Sequence, residues 1–137
     1  MAPPAKQNGR PPIILRETDA ERLSNLASQM EAKAPLAAGL LLDEIERAEI
    51  RADHLVADSV IGMQSVVEFV DGAHDLRQTV TLVYPNEANI SEGRISILTP
   101  VGAGLIGLTA GQSIHWPDRD GRERVLQILS VSRAAAS

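Results

Sequence analysis

The sequence predicts an α+β fold, in which a short antiparallel helical hairpin is followed by an antiparallel sheet with one short inserted helix. Two changes of pattern indicate this. Up to about residue 50, apolar residues recur at the spacing of amphipathic helices, and from about residue 60 they alternate as in half-buried strands. A glycine-rich apolar segment near residue 100 then interrupts the strands. Helices followed by strands, in a chain of 137 residues, are typical of an α+β domain.

The N-terminal segment "MAPPAKQNGRPP" is proline-rich and polar, and we expect residues 1–12 to form a disordered tail. It lacks the apolar core of a signal peptide. The next three residues, Ile13–Leu15, are apolar and are expected to pack as a staple or as a short strand.

Residues 13–53 predict the helical hairpin. Thr18 and Glu21 have the spacing of a capping box, so the first helix should cover Asp19–Glu31. Pro35 suits the first position of the second helix, because its missing N–H would have no partner there. About four residues join the two helices, which favours an antiparallel pair. The expected tip of the hairpin is Met30, Glu31, Ala32 and Lys33.

Each helix has an apolar stripe opposite a charged face. Glu44 falls at the edge of the second stripe. Taken alone, the two stripes predict that the helices pack together or onto the rest of the chain. The stripes consist of Leu23, Leu26, Ala27 and Met30 in the first helix, and of Ala37, Leu40, Leu41, Ile45 and Ala48 in the second.

Residues 54–134 predict the sheet domain. Strands are expected at about 65–69, 77–84, 94–98, 113–116 and 124–132, because β-branched and alternating residues concentrate there. The segment around His74 should be a hairpin connection. His115 and Trp116 are adjacent on one strand, so one of the two should face outward.

A literal G-x-G-x-x-G, formed by Gly102, Gly104 and Gly107, follows the strand at 94–98. A dinucleotide loop also needs a long helix and then a parallel strand with an acidic residue that binds ribose. Here the helix extends only over about 101–110, and 30 residues remain after Gly107. We therefore interpret the glycines as packing residues that bring a short helix close to the sheet, with Gly111 as its left-handed C-cap.

The composition excludes several kinds of function. The net charge is −5, and Phe69, Tyr84 and Trp116 are the only aromatics, which argues against sequence-specific or stacking-based binding of nucleic acid. There are no cysteines, so disulfides, thiolate metal sites and thiol catalysis are all absent, which fits a reducing cytosol. No apolar run is long enough to span a bilayer. We expect a soluble, cytoplasmic protein that binds no membrane.

No catalytic residue, metal ligand or cofactor site is predicted. His54, His74 and His115 are the only histidines, and none has the spacing of a metal motif. Asp118 and Asp120 in "PDRDG" resemble part of a calcium loop, but the downstream bidentate glutamate is missing at the required spacing. Together with Gly121 they predict a hairpin turn.

The stretch "ISILTPVGAGLIGLTAGQSIHW" resembles the Gre-type C-terminal domain: a strand, a Ser-Pro-like step, a small-residue helix and another strand. With "TLVYP" at Thr81–Pro85, "DAERL" at Asp19–Leu23 and "AEI" closing the second helix, the chain is similar to the Rnk family of regulators of nucleoside diphosphate kinase. The resemblance covers roughly residues 13–132.

The resemblance implies a fold of the FK506-binding-protein (FKBP) type after the hairpin. It also implies binding to bacterial RNA polymerase near the rim of its secondary channel, in competition with Gre cleavage factors, and an effect on nucleoside diphosphate kinase levels. The corresponding docking turn is Leu98, Thr99, Pro100, Val101 and Gly102. Leu98 stands where the family commonly has an acidic or amide residue, and Thr99 where it has serine, so a charged contact from this turn is not expected.

Gre factors stimulate transcript cleavage with a long helical finger whose tip carboxylates hold a second Mg²⁺. Here each helix should be only ~20–24 Å long, at about 1.5 Å per residue. The tip has one carboxylate, Glu31, and one ammonium, Lys33. The prediction is a regulator that binds polymerase without stimulating cleavage. Two alternatives remain: a direct partner of nucleoside diphosphate kinase, or a degenerate FKBP-type prolyl isomerase with Trp116 as its best pocket residue.

Overall fold

A computed structural model describes residues 11–72, 76–117 and 123–133. Residues 1–10 of the expected tail, the connection containing His74, and the turn with Asp118, Asp120 and Gly121 lie outside these ranges. The elements, in chain order, are β1 (Ile14–Arg16), α1 (Glu17–Met30), α2 (Pro35–Arg47), β2 (Glu49–Arg51), β3 (Ser65–Asp71), β4 (Leu76–Val83), β5 (Arg94–Ser96), α3 (Pro100–Leu105), β6 (Ser113–Pro117) and β7 (Glu123–Arg133). Single turns of 3₁₀ helix occur at Asp53–Leu55, Pro85–Glu87 and Ile90–Glu92.

The two N-terminal helices form the predicted hairpin, and α2 begins at Pro35 as expected. The start of α1 differs from the prediction. The helix begins at Glu17, with Arg16 as a cap residue that makes no side-chain capping bond. Thr18 therefore lies inside the first turn, and its hydroxyl donates to Asp53 instead of capping the helix. The predicted capping box is wrong because β1 leads directly into the helix.

Glu44 is fully buried within α2 and not at the edge of its apolar stripe. Both of its carboxylate oxygens accept from the Arg47 guanidinium, at 3.1 and 2.8 Å. Arg47 also donates to the carbonyl oxygen of Pro11. A buried carboxylate is tolerated when such a two-pronged pair satisfies it. The pair also holds the chain at residue 11 against α2.

The predicted short strand is present as β1, one residue later than expected, at Ile14–Arg16, and it is parallel to β2, with Ile14 opposite Glu49. The Ile13 carbonyl accepts from the Glu49 amide at 2.9 Å, and the Ile14 amide donates to the Gly107 carbonyl at 3.2 Å. Ile13 and Leu15 are each 1% exposed. The strand β1 therefore connects the end of the hairpin to the segment that follows α3.

The main sheet has the strand order β5-β4-β3-β7-β6. The pairs β3–β4, β3–β7 and β6–β7 are antiparallel. The pair β4–β5 is parallel, with Thr81 opposite Arg94, so the sheet is mixed and the prediction of an antiparallel sheet is wrong in this respect. The connection across residues 84–93 contains two 3₁₀ turns.

One face of the sheet packs against the helices and forms a single core with them. His115 is exposed and Trp116 is fully buried, in agreement with the predicted alternation on β6. Within the described ranges, no helix is long and apolar enough to cross a membrane. The core combines residues of the hairpin (Leu23, Ala27, Ala38 and Leu41), of the sheet (Val67, Phe69, Leu82, Ile114, Trp116, Leu126 and Ile128) and of the segment around α3 (Ala103, Leu105, Ile106 and Leu108).

Candidate functional site

The predicted docking turn, residues 98–102, joins β5 to α3, and local hydrogen bonds close it. The Thr99 hydroxyl accepts from the Gly102 amide at 3.0 Å and donates to the Ser96 carbonyl at 2.8 Å. The Leu98 amide donates to the Ser96 hydroxyl at 3.0 Å. Thr99 is therefore the N-cap of α3, and Pro100 occupies its first turn, where no N–H is needed. The turn has a fixed backbone.

Tight packing beneath the turn adds to this rigidity. Trp116 is fully buried, and its indole N–H donates to the Pro100 carbonyl. A Cβ added at Gly104 would lie 2.8 Å from the Trp116 indole, inside van der Waals contact. A Cβ at Gly102 would collide with the Ser96 carbonyl oxygen. Residues without a Cβ are needed at these two positions because α3 lies directly on β6 and on the end of β5.

The accessible surface of the turn carries no charge. Leu98, Thr99, Pro100 and Val101 are half-buried, and Gly102 is buried. The Thr99 hydroxyl is engaged within the turn, as described above. A partner that contacts this turn would therefore meet a rigid, mainly apolar surface.

The helix α3 is shorter than predicted, because it ends at Leu105 and not near residue 110. Gly107 follows with a left-handed φ of 82°, and a Cβ there would lie 2.8 Å from the Ile13 Cβ. The Gly107 amide donates to the Ile61 carbonyl at 2.9 Å. Gly111 also has a left-handed φ, of 93°, but it lies beyond the helix and does not cap it. The close passage of Gly107 past β1 ends the helix early.

The hairpin tip is short and nearly neutral. The Met30 carbonyl accepts from the amides of Lys33 and Ala34, at 3.1 and 2.8 Å, which closes the turn. Glu31, Ala32 and Lys33 are exposed. The helices α1 and α2 have 14 and 13 residues, so each is ~20 Å long at about 1.5 Å per residue. Among the described residues, no group of three or more His, Cys, Asp or Glu is placed to hold a metal ion.

The hairpin and the docking turn belong to one packed unit. The helix α2 packs against α3. Leu23 of α1 and Leu41 of α2 are fully buried in the same core cluster as Ile97, which directly precedes the turn. The base of the hairpin is therefore held in place relative to the turn.

A polar groove of about 430 Å³ lies where the start of α1 meets residues 63–64, the loop at residues 84–87 and Arg133. Arg16 is 7% exposed and donates to the carbonyls of Ala57, at 3.0 Å, and Val60, at 3.4 Å. Burial and then the nearby charge of Arg133 lower the pKa of Arg16. Because the two carbonyls accept from it, the guanidinium is fixed against the sheet domain.

Two carboxylates at this groove differ in their environment. Asp19 is 9% exposed and accepts from the Met63 amide at 3.2 Å, and burial raises its pKa even though that amide opposes the shift. Asp53 accepts from the Thr18 hydroxyl at 2.6 Å and from the Thr18 amide at 3.1 Å, and these bonds lower its pKa. A Cβ at Gly62 would lie 2.8 Å from an Asp19 oxygen. The two carboxylates and Arg16 thus fix the start of α1 to the rest of the chain.

Sequence patterns do not reveal these groove residues. The partners Thr18 and Asp53 are 35 positions apart, and Asp19 and Met63 are 44 apart. None of them belongs to a periodic motif, and the local capping pattern at Thr18 indicates a different role. Only the packing of β1 and α1 on the sheet domain brings them together.

Asp19→Asn should change how stability depends on pH. The raised carboxyl pKa means that the folded state retains the proton more readily than the unfolded state. The stability that Asp19 adds is therefore present below the ordinary value of 3.8 and is lost as pH rises through the higher folded pKa. Asparagine keeps an acceptor for the Met63 amide and does not titrate. We expect the stability of the wild type, relative to Asp19→Asn, to fall as pH rises through this window.

Urea unfolding at a series of pH values measures this difference. Asp43→Asn, which changes an exposed carboxylate on α2, is the matched control. If the stability of the wild type relative to Asp19→Asn stays constant or increases as pH rises, the raised pKa of Asp19 is contradicted.

Comparison with known proteins identifies relatives along nearly the whole chain. The family model for the Rnk N-terminus matches residues 11–50, and that for the C-terminal domain of the transcription elongation factors GreA and GreB matches residues 56–133. The chain is 34% identical over 122 residues to the regulator of nucleoside diphosphate kinase of Escherichia coli (strain K12), covering 89% of this chain and 90% of that protein.

Two further relatives are elongation factors. The chain is 31% identical over 134 residues to transcription elongation factor GreA of Sinorhizobium medicae (strain WSM419), covering 92% of this chain and 84% of that protein. A solved structure of a prokaryotic transcription elongation factor GreA/GreB from Nitrosomonas europaea is similar with a TM-score of 0.69 and 34% identity, over 89% of this chain and 98% of that one.

Proposed function

This chain belongs to the GreA/GreB C-terminal family and has an Rnk-type N-terminus, and from this we propose that it is a non-enzymatic transcription regulator that binds bacterial RNA polymerase. It would bind near the rim of the secondary channel, compete there with Gre-type cleavage factors without stimulating cleavage, and thereby affect nucleoside diphosphate kinase levels in the cytoplasm. The match to elongation factors over residues 56–133 supports the choice of polymerase as partner.

The short, nearly neutral hairpin is the observation that carries the proposal. Delivery of a second Mg²⁺ needs carboxylate oxygens at the tip, commonly more than one. Glu31 is the one acidic residue of the tip, and Lys33 follows it two positions later in the sequence. Each helix is ~20 Å long, and their bases are packed into the body. Such a hairpin provides neither the reach nor the ligands for cleavage.

We assign the contact with polymerase to the turn of Leu98, Thr99, Pro100, Val101 and Gly102. Its rigidity supports this, because a preorganised surface loses little conformational entropy on binding. Its lack of charge predicts that binding depends on shape and apolar contact and responds weakly to salt.

Retention of core polymerase on the immobilised protein tests the proposal. We expect retention, and loss of retention when purified GreA is added in excess. Val101→Lys should weaken retention about tenfold, because it places an ammonium at the centre of the contact while its stem still covers the apolar surface. Val125→Lys, at an exposed valine on β7, is the matched control and should retain polymerase normally.

Absence of retention, or retention that is indifferent to GreA, would contradict the proposal. Equal weakening by Val101→Lys and Val125→Lys would contradict the assignment of the turn.

The name of the Escherichia coli relative keeps a second candidate open, a direct partner of nucleoside diphosphate kinase. Co-purification of that kinase in the absence of polymerase would favour it. The prolyl isomerase alternative is disfavoured, because Trp116 is 0% and Phe69 2% exposed and neither can line an open pocket. Measurable turnover of a proline peptide by the wild-type protein would restore it.

A further inference from the structure

We propose that the groove between the start of α1 and the loop at residues 84–87 binds a small phosphorylated ligand with a flat apolar part, of the nucleoside phosphate class. The groove measures about 430 Å³, within the range of about 300–1,000 Å³ that small-molecule sites occupy. The docking turn is not part of its lining. This binding site is therefore separate from the proposed polymerase contact.

Cationic side chains provide the binding groups for the phosphate. Arg133 and Arg22 line the groove and are exposed. Within the described part of the chain, Arg133 forms no ion pair within 4.0 Å. Its planar guanidinium can therefore offer a fork of donors to a phosphate.

The acidic residues of the groove are already engaged by protein donors. Asp53 accepts from Thr18, and Asp19 accepts from the Met63 amide. Glu87 accepts from the Gln64 side-chain amide at 2.9 Å. The donors to these carboxylates are groups other than Arg133, and within the described ranges none of the three carboxylates forms a direct ion pair with its guanidinium.

The opposite part of the groove is suited to a flat, partly apolar group. The half-buried ring of Tyr84 lines it, and Asn86 adds an amide at the rim. An aromatic ring with a nearby amide is a common arrangement for a base, since the base stacks on the ring and its edge forms hydrogen bonds with the amide.

The backbone of Gln64 gives an independent indication of function. Gln64 lines the groove and has a φ of 69°, the one positive φ at a non-glycine residue in the described ranges. Glycine would adopt this conformation without strain, so glutamine at this position has a local conformational cost. Such strain is typical of positions where the side chain has a role in binding.

Isothermal titration of the full chain with ADP, pyrophosphate and adenosine tests this proposal. We expect ADP to bind one to one, and more tightly than either of the two fragments. Arg133→Gln should weaken ADP binding about tenfold or more, as expected when a charge-assisted hydrogen bond is lost. Arg77→Gln changes an exposed arginine on β4 outside the groove and should leave affinity within about twofold of wild type.

Gln64→Gly separates a binding role from a structural one. The binding role predicts weaker ADP binding together with unchanged or increased thermal stability, because the backbone strain is relieved. The proposal is overturned if ADP does not bind at millimolar concentration, or if pyrophosphate alone binds as tightly as ADP. Equal weakening by Arg133→Gln and Arg77→Gln, or unchanged binding in Gln64→Gly, would overturn it as well. Polymerase retention is a separate measurement, so either proposal can fail alone.

Discussion

Trp116→Ala will lower the free energy of unfolding by about 3–5 kcal/mol, the range measured for truncation of large buried aromatics. Trp116 is 0% exposed, and its indole packs against Gly104, so the substitution leaves a cavity between α3 and β6. The Pro100 carbonyl also loses its indole donor. Because Trp116 is the only tryptophan, circular dichroism and not intrinsic tryptophan fluorescence should follow urea unfolding.

Trp116→Phe is the matched control for this experiment. Phenylalanine fills most of the space but cannot donate to the Pro100 carbonyl, so the loss should be clearly smaller than for alanine. A loss below about 1 kcal/mol for Trp116→Ala would show that the docking turn does not depend on this packing.

Gly102→Ala is expected to destabilise the protein by about 1–3 kcal/mol, through overpacking at the start of α3. The added Cβ would collide with the Ser96 carbonyl oxygen and lie 2.9 Å from the Ile97 Cα. These neighbours are backbone atoms, which cannot rotate away as a flexible side chain can. The helix must therefore move off the sheet, and we expect polymerase retention to fall together with stability.

Gly39→Ala is the control with the opposite expected sign. Gly39 lies within α2, and a Cβ there would meet nothing within 4 Å. Alanine should therefore stabilise the helix by about 0.5–1 kcal/mol. If urea unfolding shows that Gly102→Ala is as harmless as Gly39→Ala, the close approach of α3 to β5 is wrong.

Features set by local sequence were predictable. Apolar spacing located both helices of the hairpin, and Pro35 marked the start of α2 because proline is suited to that position. Alternation along β6 predicted that His115 and Trp116 face opposite sides. In each case the feature is determined by a residue and its near neighbours along the chain.

Features set by distant contacts were not predictable from one sequence. Thr18 has the local pattern of a cap, but Asp53 takes up its hydroxyl. The helix α3 ends early because Gly107 passes close to Ile13, which is 94 positions earlier in the chain. The parallel pairing of β5 and the groove around Arg16 likewise depend on how elements meet in space. A single sequence therefore does not reveal the candidate groove.

The transcript cleavage assay with backtracked elongation complexes tests the proposal of polymerase binding without metal delivery most directly, because a cleavage factor would release the RNA 3′ fragment. The measured quantity is the release of the RNA 3′ fragment with the purified protein alone, with GreA alone, and with both. We predict no release above background with the protein alone, and a decrease in GreA-stimulated release as the protein is added in excess. Efficient release with the protein alone would contradict the account.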